Sequence, residues 1–341
     1  MLYFECDYME GAHPEVLRRL VETNMEKTLG YGTDAYCEEA REKIRAACGA
    51  PEADVYFLAG GTQTNALVAY SFLKPCQGMI SPVTGHVNHH ESGAVEATGH
   101  KVIALPASEG KLSVAAVREY IESYWADENY QHIVEPGMVY LTHPTELGTL
   151  YTLPELTEFS ELCRKYRIPL YVDGARLGYA LASDANDISL LDLARLCDAF
   201  YIGGTKCGAM FGEALVVTNR NFVGDLFSII KQRGAMTAKG RLLGVQFSTL
   251  FTDGLYAGIC RNAIETASML VDILRSKGYG FLAYPVTNQL FVIMEDSKVD
   301  SLRKSVSFSL WERLGDGRSV VRFVTNWATI REDVARLGEL L

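Results

Sequence analysis

The sequence predicts an α/β protein: a mainly parallel β-sheet sandwiched by helices, with a smaller C-terminal α+β domain after it. Two observations lead there. Short apolar runs alternate with longer amphipathic segments through about the first 240 residues, the rhythm of strand–helix–strand units whose sheet is covered on both faces. Beyond that point the rhythm changes to one long helical stretch followed by mixed shorter elements.

In chain order, the apolar runs predict strands over Val55–Ala59, Met79–Ser81, Val102–Leu105, Met138–Thr142, Leu170–Asp173, Ala199–Ile202 and Ala214–Thr218. Between them the patterning predicts helices over Thr62–Leu73, Val114–Tyr124, Pro154–Tyr166 and Leu190–Leu196. The third of these is well punctuated. Pro154 suits a first turn, Glu155 and Glu158 lie near its positive end, and Ile168-Pro169 forces the chain out of helix. The C-terminal part reads as a helical stretch over Arg241–Ser276 with a break near Gly254, and a strand over Gln289–Met294. A helix near Val299–Arg313, a strand over Ser319–Thr325 and a last helix from Arg331 follow. The expected division is therefore 1–240 for the large domain and 241–341 for the small one. No tandem repeat or low-complexity linker separates them.

Composition narrows the function classes. A chain of 341 residues with 48% hydrophobic and 22% charged residues can bury a large core. Its net charge of −10 argues against general binding to nucleic acid or to an anionic membrane. The eight cysteines form no Cys-x-x-Cys pair, so zinc ribbons and secreted disulfide frameworks are not expected. The opening Met-Leu-Tyr-Phe-Glu-Cys-Asp lacks the basic-then-apolar order of a signal peptide, and no apolar run reaches membrane-spanning length. A cytoplasmic location is the expectation.

Four segments carry polar chemistry where strands end, which is where ligands collect in such sheets. Ala59-Gly60-Gly61-Thr62 follows a strand and opens a helix. Its backbone N–H groups can cradle an anion, although a strand-to-helix turn also needs glycine and a threonine cap for structural reasons. Val172-Asp173-Gly174-Ala175-Arg176 delivers a carboxylate and, three residues on, a guanidinium. Asp173 could merely cap a helix, or it could hold the protonated ring nitrogen of a heteroaromatic cofactor. Gly203-Gly204-Thr205-Lys206-Cys207-Gly208 leaves room around a lysine, whose amine becomes a nucleophile in an apolar setting. Thr84-Gly85-His86-Val87-Asn88-His89-His90-Glu91 offers a ring for stacking in His86; its close-spaced histidines also allow a metal reading, though without the His-Glu-x-x-His pattern.

Taken together, these segments resemble the low-specificity threonine aldolases and the related β-eliminating lyases, which are fold-type-I pyridoxal-phosphate (PLP) enzymes. The resemblance runs from about Phe4 to the C-terminus. It rests on Gly61-Thr62-Gln63, His86 with Glu91, Asp173-Gly174-Ala175-Arg176 and Thr205-Lys206. By resemblance, Lys206 matches the family's Schiff-base lysine and Asp173 its pyridine-nitrogen partner. Gly61 and Thr62 match the phosphate-binding turn, and His86 the histidine stacked on the ring. Arg176 and Arg322 match the arginines that grip the substrate carboxylate, and Arg241 matches a basic residue reaching the phosphate from a neighbouring subunit. Two departures touch the substrate side: Pro144-Thr145-Glu146 has Glu146 where many members carry a histidine, and Cys6-Asp7-Tyr8 replaces a Ser-Asp-Thr pattern. The resemblance implies retro-aldol cleavage of a β-hydroxy-α-amino acid to glycine and an aldehyde, with His86 or Glu146 as base, in a homodimer or homotetramer. The alternatives are β-elimination, racemisation or transamination on the same cofactor, and a PLP-binding protein without turnover.

Overall fold

The computed structural model describes residues 1–341. Its large sheet has seven strands: β1 Asp54–Leu58, β2 Gln77–Pro82, β3 Lys101–Leu105, β4 Glu135–Thr142, β5 Leu170–Asp173, β6 Ala199–Gly203 and β7 Glu213–Val217. They lie in the order β1-β7-β6-β5-β4-β2-β3. All neighbours pair in parallel except β7, which runs antiparallel to both β1 and β6.

Burial on both faces explains why these strands read as apolar runs. Val139, Leu141, Val172, Phe200 and Ile202 belong to one hydrophobic core. The alternate residues Met138, Tyr140, Tyr171, Ala199 and Tyr201 belong to a second core on the opposite face, as the two-residue period of a strand requires. The helix Gly61–Phe72 contributes Leu67, Val68, Ala69 and Phe72 to that second face. Helix Leu153–Tyr166 packs Leu156, Phe159, Leu162 and Cys163 into the first. Its start is fixed by Thr152 and Glu155, each of whose side chains accepts from the other's backbone N–H, and it ends on Arg167 in the left-handed region.

The C-terminal part is a four-stranded antiparallel sheet, with Ser309–Arg313, Arg318–Val324, Gln289–Glu295 and Gly280–Phe281 in that order. The break near Gly254 separates helices Arg241–Leu250 and Leu255–Ser276, with Asp253 and Gly254 both at positive φ, 50° and 71°. One expectation fails. In place of a helix over 299–313 there is a short helix Asp296–Leu302, then strands Val306–Ser307 and Ser309–Arg313. The reason is visible in Ser305-Val306-Ser307-Phe308, whose alternation sends Val306 and Phe308 into the small core. Helices Pro14–Glu22, Ala35–Ala47, Leu177–Ala182 and Leu226–Gln232 are not anticipated from the sequence.

Residues beyond 240 pack into both cores. Phe247, Leu250, Tyr256, Cys260 and Ala263 sit in the large domain's core, whereas Ala267, Leu270 and Leu274 join the small one, together with Leu2 and Phe4. We propose that the domains part within helix Leu255–Ser276, which serves both cores with successive turns.

Candidate active site

Adjacent strands β5 and β6 pair through Tyr171–Ala199 and Val172–Phe200, so the loops leaving their carboxyl ends emerge side by side. Glycine makes the approach closer still. A Cβ on Gly174 would stand 2.0 Å from the Tyr201 carbonyl oxygen, and one on Gly203 would stand 2.2 Å from that of Ala175. This brings Asp173, at the end of β5, and Lys206, three residues past β6, to one cavity of about 280 Å³, which His86, Glu146, Arg176 and Glu213 also line.

Asp173 is held in one orientation. Its Oδ2 accepts hydrogen bonds from Asn65 Nδ2 at 2.9 Å and from the Tyr140 hydroxyl at 2.9 Å, and its Oδ1 from the Ala175 N–H at 3.0 Å. Asn65 is itself fixed: its Oδ1 accepts from the Tyr171 hydroxyl at 2.8 Å, and its Nδ2 also donates to Glu91 Oε1 at 2.7 Å. Glu91 Oε1 then pairs with His86 Nδ1 at 2.8 Å. A chain of contacts therefore ties the Asp173 carboxylate to the His86 ring. Within the histidine cluster His86 pairs with Glu91, while His89 and His90 are exposed, the His90 ring standing 5.5 Å from that of His86. No three His, Cys, Asp or Glu side chains come together as metal ligands.

Lys206 makes no hydrogen bond through its amine. Burial, and then the nearby Arg176 guanidinium, push its proton affinity below that of an ordinary lysine, against the opposing pull of Asp7, Asp173 and Glu213. Glu146 is poised the other way. Burial raises its carboxyl to about 6, outweighing hydrogen bonds from the Thr142 hydroxyl to Oε2 at 2.8 Å and from the His86 N–H to Oε1 at 2.8 Å.

The turn Gly60–Thr62 opens onto the same cavity. Gly60 gives helix Gly61–Phe72 no side-chain cap, and the N–H groups of Gly61, Thr62 and Gln63 find no acceptor in the chain. A Cβ on Gly61 would lie 2.8 Å from the Tyr201 hydroxyl, so the turn stays open only without one. Unpaired N–H groups at a helix N-terminus suit a phosphate. The lysine, the fixed carboxylate and this anion cradle thus fit PLP.

The three arginines fare differently. Arg176 lines the cavity, but Asp7 occupies one side of its guanidinium, with Nε to Oδ2 at 2.6 Å and Nη2 to Oδ1 at 3.0 Å. Asn288 Nδ2 steadies the same Asp7 carboxylate at 2.9 Å. Arg322, on strand Arg318–Val324, does not line the cavity but lies near the Arg176–Asp7 pair. Its Nη atoms make only long contacts, 3.4 Å to Gln289 Oε1, 3.3 Å to the Glu5 carbonyl and 3.2 Å to Ser309 Oγ, and its buried Nε has no partner. Arg241 faces away: its guanidinium donates to the carbonyls of Thr23, Asn24 and Glu26 at 2.8–3.0 Å. It closes the chain after helix Pro14–Glu22 and does not line its own chain's cavity; its expected reach is to the phosphate of a neighbouring subunit.

Sequence reading missed Asn65, Tyr140, Asp7 and Glu213. The tyrosines pass for ordinary strand residues. Glu213 did leave a signal, as the one charged residue at the head of a strand that is otherwise Ala-Leu-Val-Val.

A lysine and a fixed carboxylate from neighbouring strand ends, beside an open helix N-terminus, define a fold-type-I PLP enzyme. The model of the β-eliminating lyase family matches residues 4–329, and the chain belongs to that family. It is 40% identical to the threonine aldolase of Leishmania major, superposing with a TM-score of 0.97 over 100% of this chain and 98% of that one. A low specificity L-threonine aldolase of Pseudomonas aeruginosa is 28% identical over 99% of this chain and 95% of its own length. An aspartate aminotransferase of Thermus thermophilus shares the fold at 16% identity, with a TM-score of 0.74 over 100% of this chain and 90% of that one.

Proposed function

We propose that the protein cleaves the Cα–Cβ bond of a β-hydroxy-α-amino acid of the threonine or allo-threonine type, giving glycine and an aldehyde. The observation that carries this reading is Glu146, a buried carboxyl raised to about 6 on the same cavity as Lys206 and Asp173. PLP, when bound, supplies a conjugated ring that accepts the electron pair left on Cα as the bond breaks. Lys206 would anchor it, Asp173 would face the ring nitrogen, Gly61 and Thr62 the phosphate, and His86 the ring plane.

The chain's own part is binding and proton transfer. Arg176, with its other side held by Asp7, is aligned to offer its free N–H groups to the substrate carboxylate, and Arg322, near Arg176, adds positive charge. Glu146 takes the proton of the β-hydroxyl. Its raised proton affinity suits this task, because a base is most effective when its pKa lies near the working pH. The hydrogen bonds from Thr142 and the His86 N–H hold the carboxylate in place while leaving each oxygen a further lone pair. His86, whose Nδ1 is paired with Glu91 Oε1, keeps its Nε2 as a second candidate base.

We further propose that the enzyme works as a homodimer or homotetramer with the cavity at a subunit boundary, and that it resides in the cytoplasm. All eight cysteines are free, in keeping with a reducing compartment, and no helix is long and apolar enough to cross a membrane.

The test is product analysis. Purified protein with PLP, given L-threonine or L-allo-threonine, should release glycine and acetaldehyde in equal amounts. A keto acid and ammonia in their place would mean elimination and would overturn the assignment.

A further inference from the structure

Glu213 has no part in the chemistry above, yet it lines the same cavity as Lys206. It opens β7, the antiparallel strand that lies between β1 and β6, and only 4% of it is exposed. Both carboxyl oxygens are oriented by the loop that carries the lysine: Oε2 accepts from the Gly204 N–H at 2.9 Å and Oε1 from the Thr205 hydroxyl at 2.8 Å. Thr205 Oγ1 in turn accepts from the Gly212 N–H at 2.9 Å, which ties the start of β7 to the residue before Lys206.

Three carboxylates act electrostatically on Lys206, namely Asp7, Asp173 and Glu213. Asp7 is neutralised by Arg176. Asp173 is already engaged by hydrogen bonds from Asn65, Tyr140 and the Ala175 N–H. Glu213 has no ion pair, and neither does the amine of Lys206. A buried acid and a partly buried base without other counter-charges thus line one cavity, and leaving both charges uncompensated would be costly.

We propose that Glu213 is a positioning residue for Lys206: through the Gly204 N–H and the Thr205 hydroxyl it fixes the turn that presents the lysine, and its negative charge on the shared cavity favours the protonated lysine nitrogen. Glu213 is raised to about 7, first by burial, while Lys206 is lowered, so the two proton affinities are drawn together. The other groups around the pair are Asp173 and Tyr171 from β5, Tyr201 from β6, Tyr256 from helix Leu255–Ser276, and Arg176. The tyrosines are all pushed upward by burial and stay neutral over the working pH range.

The inference rests on Lys206 being the cofactor lysine, and the test separates the two claims. In PLP-loaded protein, the pH midpoint of the cofactor's visible absorbance reports protonation at the lysine-bound nitrogen. Glu213→Gln removes the negative charge at nearly constant shape and should lower that midpoint by about one unit or more. Glu213→Asp should restore most of it, whereas a role confined to packing would leave the midpoint unmoved in both variants. If Glu213→Gln does not fold, Glu213→Ala takes its place: a midpoint lowered relative to the wild type supports the proposal, and a midpoint equal to that of the wild type overturns it. A fixed cofactor with the same midpoint in wild type and Glu213→Gln overturns this inference alone. Failure of borohydride to fix cofactor on Lys206 in the wild type overturns the reading of the site, and this inference with it.

Discussion

The pair formed by Asp7 and Arg176 gives a prediction whose size follows from burial. The Asp7 side chain has 0% exposure and that of Arg176 14%. At an effective dielectric of about 20, unit charges roughly 4 Å apart attract by about 4 kcal/mol. This agrees with the ~3–5 kcal/mol lost when one member of a buried pair is removed and the other is left uncompensated. Asp7→Asn keeps the volume, and its remaining oxygen can still accept from Asn288, but its amide would set donors against the guanidinium donors. The variant should therefore lose about 3–5 kcal/mol in urea unfolding at neutral pH, followed by tryptophan fluorescence with saturating cofactor. Removing both charges, in Asp7→Asn with Arg176→Gln, should recover at least about 1 kcal/mol relative to the sum of the single variants. The pH dependence has a definite sign. Burial would raise the Asp7 carboxyl, but Arg176 and then Lys206 outweigh it and hold it below its ordinary value of 3.8. A depressed folded-state value means that the stabilisation is present above 3.8 and lost as pH falls through the folded value, so the gap between wild type and Asp7→Asn should close in acid. A loss under about 1 kcal/mol at neutral pH, or strict additivity in the double variant, would refute the reasoning.

Two further predictions concern the cavity. The aldol rate should have an acid limb near pH 6, because Glu146, raised to about 6, must be deprotonated to act as base; Glu146→Gln should abolish that limb and slow the reaction roughly 100- to 10,000-fold, as kcat-versus-pH profiles would reveal. In Gly61→Ala the new methyl would stand 2.8 Å from the Tyr201 hydroxyl of a fully buried ring. Spectrophotometric titration with PLP should then show affinity reduced about tenfold or more, the equivalent of roughly 1.4 kcal/mol, while the unfolding midpoint of the cofactor-free protein changes little.

Much of this molecule could be read directly from its residues, because the forces shaping it are local or periodic. Each of the seven strands of the large sheet appears as an apolar run, since burial on both faces removes polar residues from it. The capping signals around Leu153–Tyr166 fixed that helix to within a residue. Asp173 and Lys206 stood out because a charge at the end of an apolar strand needs a reason. What could not be read is what depends on the third dimension. Three tyrosines from β4, β5 and β6 share one face, and only the register of those strands shows that Tyr140 reaches Asp173 and Tyr171 reaches Asn65. Asp7 meets Arg176 across 169 residues of sequence, a separation at which no spacing rule applies. The expected helix over 299–313 failed because its alternating Ser-Val-Ser-Phe stretch was read as part of a longer helical pattern, whereas the small core takes up Val306 and Phe308 from a strand. Arg241 was assigned by position in a family pattern, and what the fold adds is that three backbone carbonyls of its own chain orient its guanidinium.

The central claim is that Lys206 and Asp173 grip one PLP molecule from opposite sides. It is tested most directly by reducing the PLP-loaded protein with borohydride and mapping the modified peptide by mass spectrometry, in the wild type and in Lys206→Ala. The account predicts phosphopyridoxyl on Lys206 alone in the wild type, and no reducible cofactor in the variant. Label on a different lysine, or undiminished labelling of Lys206→Ala, would contradict it.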